Sequence, residues 1–353
     1  MTPLQFRPLV KRARWGGTRL GTLLGKSVGT ETDYAESWEF SDHGPDQSVI
    51  VGGACDGLTL QQLVRDHDLN HKLFGRHAGL KQFPLLVKFL DASDRLSVQV
   101  HPNDIQARVY QAGENGKTEA WVVVSAEPQA KVFAGLKSHI DAFRLERHLK
   151  DGTLDECLHP VEVQAGDCLF IPAGTVHAIG EGIVLAEVQQ SSDLTFRLSD
   201  WGRLGANGLP RELHIEESLA CIDWNRGPVD PVRPRLVVAF RESRSGYYET
   251  EELVACDYFV LHRHRGTTRF SVNEHDCFHA LLVLQGRGEL VNGGESIPLT
   301  TGSSVLVPAA CSESVEIVPH GEIVVLDAFL PSETSWAPKT DADVEQEVVP
   351  MRR

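Results

Sequence analysis

At 353 residues the chain is long enough for two ordinary domains of ~100–200 residues each. Its formal net charge of −15 argues against a general nucleic-acid or acidic-membrane surface, because polyanions are repelled on average, while leaving room for a local basic pocket that takes one small anion. No apolar run approaches the ~20 residues that span a bilayer, and the basic start, Met1 to Gly17, lacks the apolar segment of a secretory leader, so a cytoplasmic protein with no membrane partner is expected.

In chain order, the first predicted helix is capped by Thr59 and carries Leu60, Leu63 and Val64 on one face. A strand is expected over 84–90, and another over 96–101, where alternation puts Gln99 and His101 on the same face. The next strand runs over 120–124. Ser138, with Asp141 three residues later, predicts a capping box ahead of Phe143, Arg144 and Leu145. Residues 166–177 then describe a strand, a tight turn and a return strand. Pro172 sets φ and Gly174 permits φ > 0, so the hairpin re-enters in a defined register with the His177 imidazole pointing inward. A further strand is expected over 182–188. Three prolines and mixed charge mark 223–234 as a linker, strands resume from 236 to about 329, and a charged tail follows that is expected to fray.

An internal repeat organises these elements into two β-barrels. Gly166-x5-Pro172-Ala173 recurs as Gly302-x5-Pro308-Ala309, yet Ala310 stands where Gly174 stood and Glu313 where His177 stood. The expected domains are 1–225, metal-binding, with N-terminal strands and helical insertions; 235–330, a degenerate second barrel with a structural or interfacial role; and the tail, 331–353.

His101, Glu119 and His177 are the metal-ligand set that these patterns bring together, with Gln99 as a weaker fourth ligand or a donor behind the other three. Imidazole nitrogen with carboxylate oxygen suits Zn²⁺, one per chain, or its first-row neighbours Mn²⁺, Co²⁺ and Fe²⁺. Three protein ligands leave positions open for water or substrate, the pattern of a catalytic site. His262, His264 and His279 offer a second set at strand spacing, roughly in the places of Gln99, His101 and Glu119. Because Arg263 and Arg265 interleave them, the expectation is a solvated face. The seven cysteines are spread singly with no CxxC pair, as reduced thiols rather than a disulfide framework.

The hairpin Gly166-x5-Pro172-x-Gly174-x-x-His177 resembles the second cupin motif, although Glu181 occupies the place of the expected Asn and the acidic ligand lies far from His101. Trp15-Gly16-Gly17, Glu36-Ser37-Trp38-Glu39, Val98-Gln99-Val100-His101-Pro102-Asn103-Asp104, Gly116-Lys117-Thr118-Glu119-Ala120-Trp121, and the run from Glu187 through Arg197 to Trp201-Gly202-Arg203 together resemble the short bacterial form of the type I mannose-6-phosphate isomerases. That resemblance implies a mainly β fold of two cupin (jelly-roll) barrels with a small helical insertion in the first and a degenerate second. It further implies a zinc-dependent aldose–ketose isomerase of sugar-phosphate metabolism that interconverts mannose 6-phosphate and fructose 6-phosphate through a cis-enediol. Lys117, Glu187 and a metal-bound water stand as alternative bases. Arg197, then Arg203 and Lys117, are the groups for the phosphate, with a guanidinium fork suited to oxyanions. Trp15, Trp38 and Glu39 are read as structural. An isomerase or epimerase of another sugar and a non-catalytic sugar-binding cupin remain as alternatives, as do a monomer and a homodimer.

Overall fold

The computed structural model describes residues 1–205, 208–242, 246–272 and 274–332; the tail expected from 331 onward lies almost wholly outside them. The chain is mainly β with short helices. One six-stranded sheet runs in the order Cys168–Ile171, Glu119–Ala126, Ile183–Gln190, Leu85–Ala92, Tyr34–Phe40, Leu9–Gly17. Its inner face packs on a five-stranded sheet of Leu158–Glu162, Lys131–Leu136, His177–Ile179, Val98–Val100 and Phe196–Ser199. Trp121, Val123 and Leu185 from the first meet Val132, Ala134 and Ile179 from the second.

The C-terminal half repeats this plan. A six-stranded sheet (Arg235–Glu242, Gly246–Ala255, Val260–Gly266, Ile323–Phe329, His279–Gln285, Ser304–Val307) faces a four-stranded one (Phe270–Ser271, Val315–Pro319, Arg287–Asn292, Glu295–Thr300), and Leu281 and Val325 meet Leu290 and Ile317 between them. The two six-stranded sheets are joined back to back, with Val87, Phe89, Val122 and Ala186 in one cluster with Leu261, Ala280, Leu282 and Leu326. Their central strands are thus covered on both faces and read as near-continuous apolar runs, in which a polar residue has to be explained. The described sheets stay open, with Leu9–Gly17 and Cys168–Ile171 as the edges of the first.

Local chemistry accounts for the helix starts. Thr59 caps Leu60–Arg65 in a reciprocal box with Gln62, and Leu60, Leu63 and Val64 are buried as expected. The second cap is corrected. The helix is Ala142–Asp151, and its cap is Asp141, whose carboxylate accepts the Arg144 N–H at 2.8 Å. A carboxylate satisfies an orphan donor and also complements the helix dipole, which the Ser138 hydroxyl does not. Leu145 is buried against the outer face of the five-stranded sheet, while Phe143 is exposed. The segment 223–234 holds no helix or strand, but it is laid on the first sandwich: the Val229 N–H donates to Ala134 O at 3.0 Å and the Val232 N–H to Cys168 O at 2.7 Å.

The repeat is visible in the register. Glu119 pairs with Ile171 as His279 pairs with Val307, and the row Lys88, Glu187, Trp121 corresponds to His262, Asp327, Leu281. In the second copy a 3-10 helix, Ala309–Ser314, replaces the Pro-x-Gly turn and leaves Glu313 exposed. His262 and His264 therefore lie on the counterpart of the Lys88 strand rather than that of Gln99 and His101, and they are buried rather than solvated. Asp327 accepts from both neighbours, His279 Nδ1 at 3.0 Å and His264 Nε2 at 3.2 Å, while His264 Nδ1 lies 3.0 Å from the Thr250 hydroxyl. This is a hydrogen-bonded core network.

Burial alone would lower the His279 imidazolium, but Asp327 outweighs it and holds the group up to about 10. A folded-state value above the ordinary ~6.5 contributes stability that is complete below that pH and is lost as pH rises through about 10. Asp327→Asn is expected to cost about 3 kcal/mol at neutral pH and to flatten the alkaline side of the stability profile, which urea melts between pH 6 and 10 will measure.

Candidate metal centre and substrate cavity

The five-stranded sheet presents His177, Gln99 and Arg197 side by side, since His177 pairs with Gln99 and Gln99 with Arg197. His101 follows on the face of Gln99. From the opposite sheet come Glu119, which starts its strand, and the row Lys88, Glu187, Trp121. All converge at one end of the first sandwich, where a cavity of about 260 Å³ is lined by Gln99, Lys117, Glu119, Glu187, Arg197 and others. A larger hollow, about 920 Å³, lies on the outer side beneath Leu149 and Leu219, away from these groups.

Two backbone carbonyls orient the imidazoles. His101 Nδ1 donates to Leu194 O at 2.9 Å and His177 Nδ1 to Thr175 O at 2.9 Å, which fixes the tautomers and turns both Nε2 lone pairs toward Glu119. His101 Nε2 stands 3.5 Å from Glu119 Oε2, and His177 Nε2 stands 3.4 Å from Oε1. The three residues offer ligand atoms within 4.8 Å of one another, and they form the one such group of His, Cys, Asp or Glu among the described residues. Gln99 Nε2 reaches the His177 Nε2 at 3.2 Å, and Lys117 Nζ is 3.5 Å from Glu119 Oε2.

The donor set fits a divalent cation. His101 Nε2 and both Glu119 oxygens are buried without a hydrogen-bond partner, a cost that native interiors seldom leave standing. Burial pushes His177 down to about 4 and His101, also beside Lys117, well below its ordinary value, so both imidazoles are neutral and able to ligate. Glu119 is driven the other way, well above the usual carboxylate range by burial and by Glu187. Glu187 would itself rise on burial, but Lys88 and then Lys117 hold it at about 2. Glu119 thus has a raised proton affinity beside the ionised Glu187, and a dication between the imidazoles would favour its charged form.

Lys88, the fifth residue of the apolar run 84–90, is the group that the sequence reading passed over. Its buried ammonium lies 3.2 Å from Glu187 and 3.2 Å from Glu36; burial alone would lower it, and these carboxylates outweigh burial and raise it. The Trp121 Nε1–H donates to Glu187 Oε1 at 3.2 Å, and the Trp38 Nε1–H to Glu36 Oε2 at 2.7 Å. Trp38 therefore braces the site from behind, whereas Trp15 lines the cavity. Glu39 is structural, bridging the sandwiches through Lys26 at 2.6 Å and Ser304 at 2.6 Å. Arg203 is not brought to the cavity. Its guanidinium is engaged by Asp200 at 2.6 Å and Asp94 at 3.0 Å.

Residues 4–126 match the family model of the phosphomannose isomerase type I catalytic domain, and 249–327 match that of the mannose-6-phosphate isomerase cupin domain. Mannose-6-phosphate isomerase ManA of Bacillus subtilis is 36% identical over 311 residues, 88% of this chain and 94% of that one. The chain belongs to the type I mannose-6-phosphate isomerase family. It is accordingly an aldose–ketose isomerase with a cupin domain. The crystal structure of the mannose 6-phosphate isomerase from B. subtilis superposes with a TM-score of 0.82 at 27% identity, over 93% of this chain and 99% of that one. A mannose 6-phosphate isomerase bound with zinc and yttrium shares the fold, with a TM-score of 0.68 at 18% identity over 92% and 99%. In this isomerase fold the metal-type group sits in the half built around the catalytic-domain match.

Proposed function

We propose that this isomerase interconverts mannose 6-phosphate and fructose 6-phosphate, with His101, Glu119 and His177, supported by Gln99, holding one Zn²⁺. The observation that carries the reading is the orphaned, buried His101 Nε2 and Glu119 carboxylate grouped with His177, beside a cavity that Glu119 and Gln99 line together with Arg197 and Lys117. Zinc is favoured by the donor chemistry and by the zinc-bound relative. When bound, the metal supplies Lewis-acid polarisation of the sugar oxygens.

The remaining work falls to the chain. Moving a proton between C1 and C2 through a cis-enediol needs one base reaching both carbons and cations near the developing oxyanion. Glu187 is the base in this proposal, ionised throughout the neutral range and held in place by Lys88 and Trp121. A substrate oxygen that draws on Lys88 would raise the basicity of Glu187 at the point of reaction. Lys117, beside Glu119, adds positive charge at the metal end. Arg197 takes the phosphate: its half-buried guanidinium donates from Nη1 to Glu212 O at 2.8 Å, and its Nε is buried without an acceptor. Both sandwiches are read as cupins, the second degenerate. Seven free thiols support a cytoplasmic enzyme; among the described residues no helix is long and apolar enough to cross a membrane.

The substrate is tested by comparing kcat/KM for mannose 6-phosphate, free mannose and other aldose phosphates. Mannose 6-phosphate is expected to lead, and a lead by the free sugar contradicts the reading. Arg197→Ala should keep its zinc and raise KM for the phosphorylated sugar roughly 10–100-fold, the worth of a charge-assisted hydrogen bond; an unchanged KM removes Arg197 from that role.

A further inference from the structure

A second arginine stands at the anion end of the cavity, outside every motif that suggested a phosphate site. The backbone places it there. The His214 N–H donates to Arg197 O at 2.8 Å, the Arg197 N–H donates to His214 Nδ1 at 3.2 Å, and Arg197 Nη1 takes Glu212 O. The segment 211–214 is thereby laid along Arg197, with Arg211 at its start, and both guanidiniums line the same cavity.

Two like charges side by side are unfavourable without an anion between them. Burial first, and Arg211 second, lower the Arg197 guanidinium. Asp200 and Glu212 act the other way on Arg197 but offset the lowering only in part. Asp200 Oδ1 is 3.5 Å from Arg211 Nη1, but that oxygen already accepts Arg203 at 2.6 Å. Asp193, also lining the cavity, contributes to the field at Lys88. Arg211 is thus loosely tied and one-third exposed, while Arg197 keeps a bare Nε.

We propose that Arg211 is a second phosphate-binding guanidinium, closing on the dianion from the side opposite the Glu212 contact and setting the preference for a phosphorylated over a free sugar. The inference rests on the functional reading above. A phosphate carries about −1.5 to −2 at neutral pH with three acceptor oxygens, more than one guanidinium neutralises, and two forks supply matched donors. Spacing agrees. Arg197 lies two strands from His177, about 10 Å at ordinary strand separation, so an anion held there is one sugar length from the metal ligands.

The test is Arg211→Gln in the zinc-loaded full chain, with Arg211→Lys beside it. For Arg211→Gln, KM for mannose 6-phosphate should rise roughly 10–100-fold with kcat within about threefold, Tm and zinc content unchanged, and turnover of free mannose unmoved; the lysine should recover part of the loss. A structural role would move both sugars together and lower Tm, and that pattern overturns the proposal, as does an unchanged KM. Inorganic phosphate binding by calorimetry separates this proposal from the functional reading. If the wild type binds phosphate and Arg211→Gln binds it at least about tenfold more weakly, the site stands even should mannose 6-phosphate prove to be the wrong sugar. Equal phosphate affinity in the two proteins refutes it.

Discussion

His177→Ala is expected to purify with less than about a tenth of the wild-type zinc and to isomerise mannose 6-phosphate at least ~10³-fold more slowly. The metal's contribution to transition-state charge is worth several kcal/mol, and each 1.36 kcal/mol is a factor of ten in rate. The imidazole does two things that no neighbour replaces. It offers a neutral Nε2 fixed by Thr175 O, and it faces Glu119 across 3.4 Å. Removing it leaves His101 and Glu119 as only two of the three grouped ligands. Metal analysis of the purified variant, with turnover on the same sample, reads both effects; a variant with full zinc and full turnover removes His177 from the centre.

Glu187→Gln should retain zinc and lose ~10²–10⁴-fold in kcat, the usual worth of a positioned general base. The change is isosteric and leaves an oxygen for the Trp121 N–H, so the indole keeps its partner. Lys88 keeps Glu36 at 3.2 Å, though half of its compensation is gone. Because breaking a buried ion pair is costly in itself, stability has to be measured alongside the rate. If Glu187 is only the counter-ion of Lys88, the variant will lose Tm while its folded fraction turns over at the wild-type rate. If it is the base, kcat falls at temperatures where the variant is fully folded, and exchange of the substrate C2 proton with solvent falls with it.

The grouping of His101, Glu119 and His177 was legible because local rules carry it. Strand alternation pairs Gln99 with His101, a Pro-x-Gly turn aims His177, and Glu119 begins an apolar strand; each is decided within a few residues. The second cluster, by contrast, depended on strand order. His262 and His264 look solvated beside arginines, and only the register with Ile323–Phe329 shows Asp327 between His264 and His279. Lys88 carried a signal that went unused, since a lysine within an apolar run is costly once both faces of the strand are covered. That both faces are covered follows from the back-to-back packing of two sheets, which periodicity alone does not reveal. Arg203 matched the family pattern, yet Asp200 three residues before it supplies a ready partner. Arg211 has no local signature at all, being placed by hydrogen bonds between 212–214 and the Arg197 strand.

The central claim is that one chelatable metal, held by His101, Glu119 and His177, makes this chain a mannose-6-phosphate isomerase. The most direct test is conversion of mannose 6-phosphate to fructose 6-phosphate by protein stripped with a chelator, verified metal-free by elemental analysis, and then restored with one equivalent of Zn²⁺. Turnover that vanishes on stripping and returns with zinc is the predicted result. Full turnover by the metal-free protein, or none by the zinc-loaded one, contradicts it.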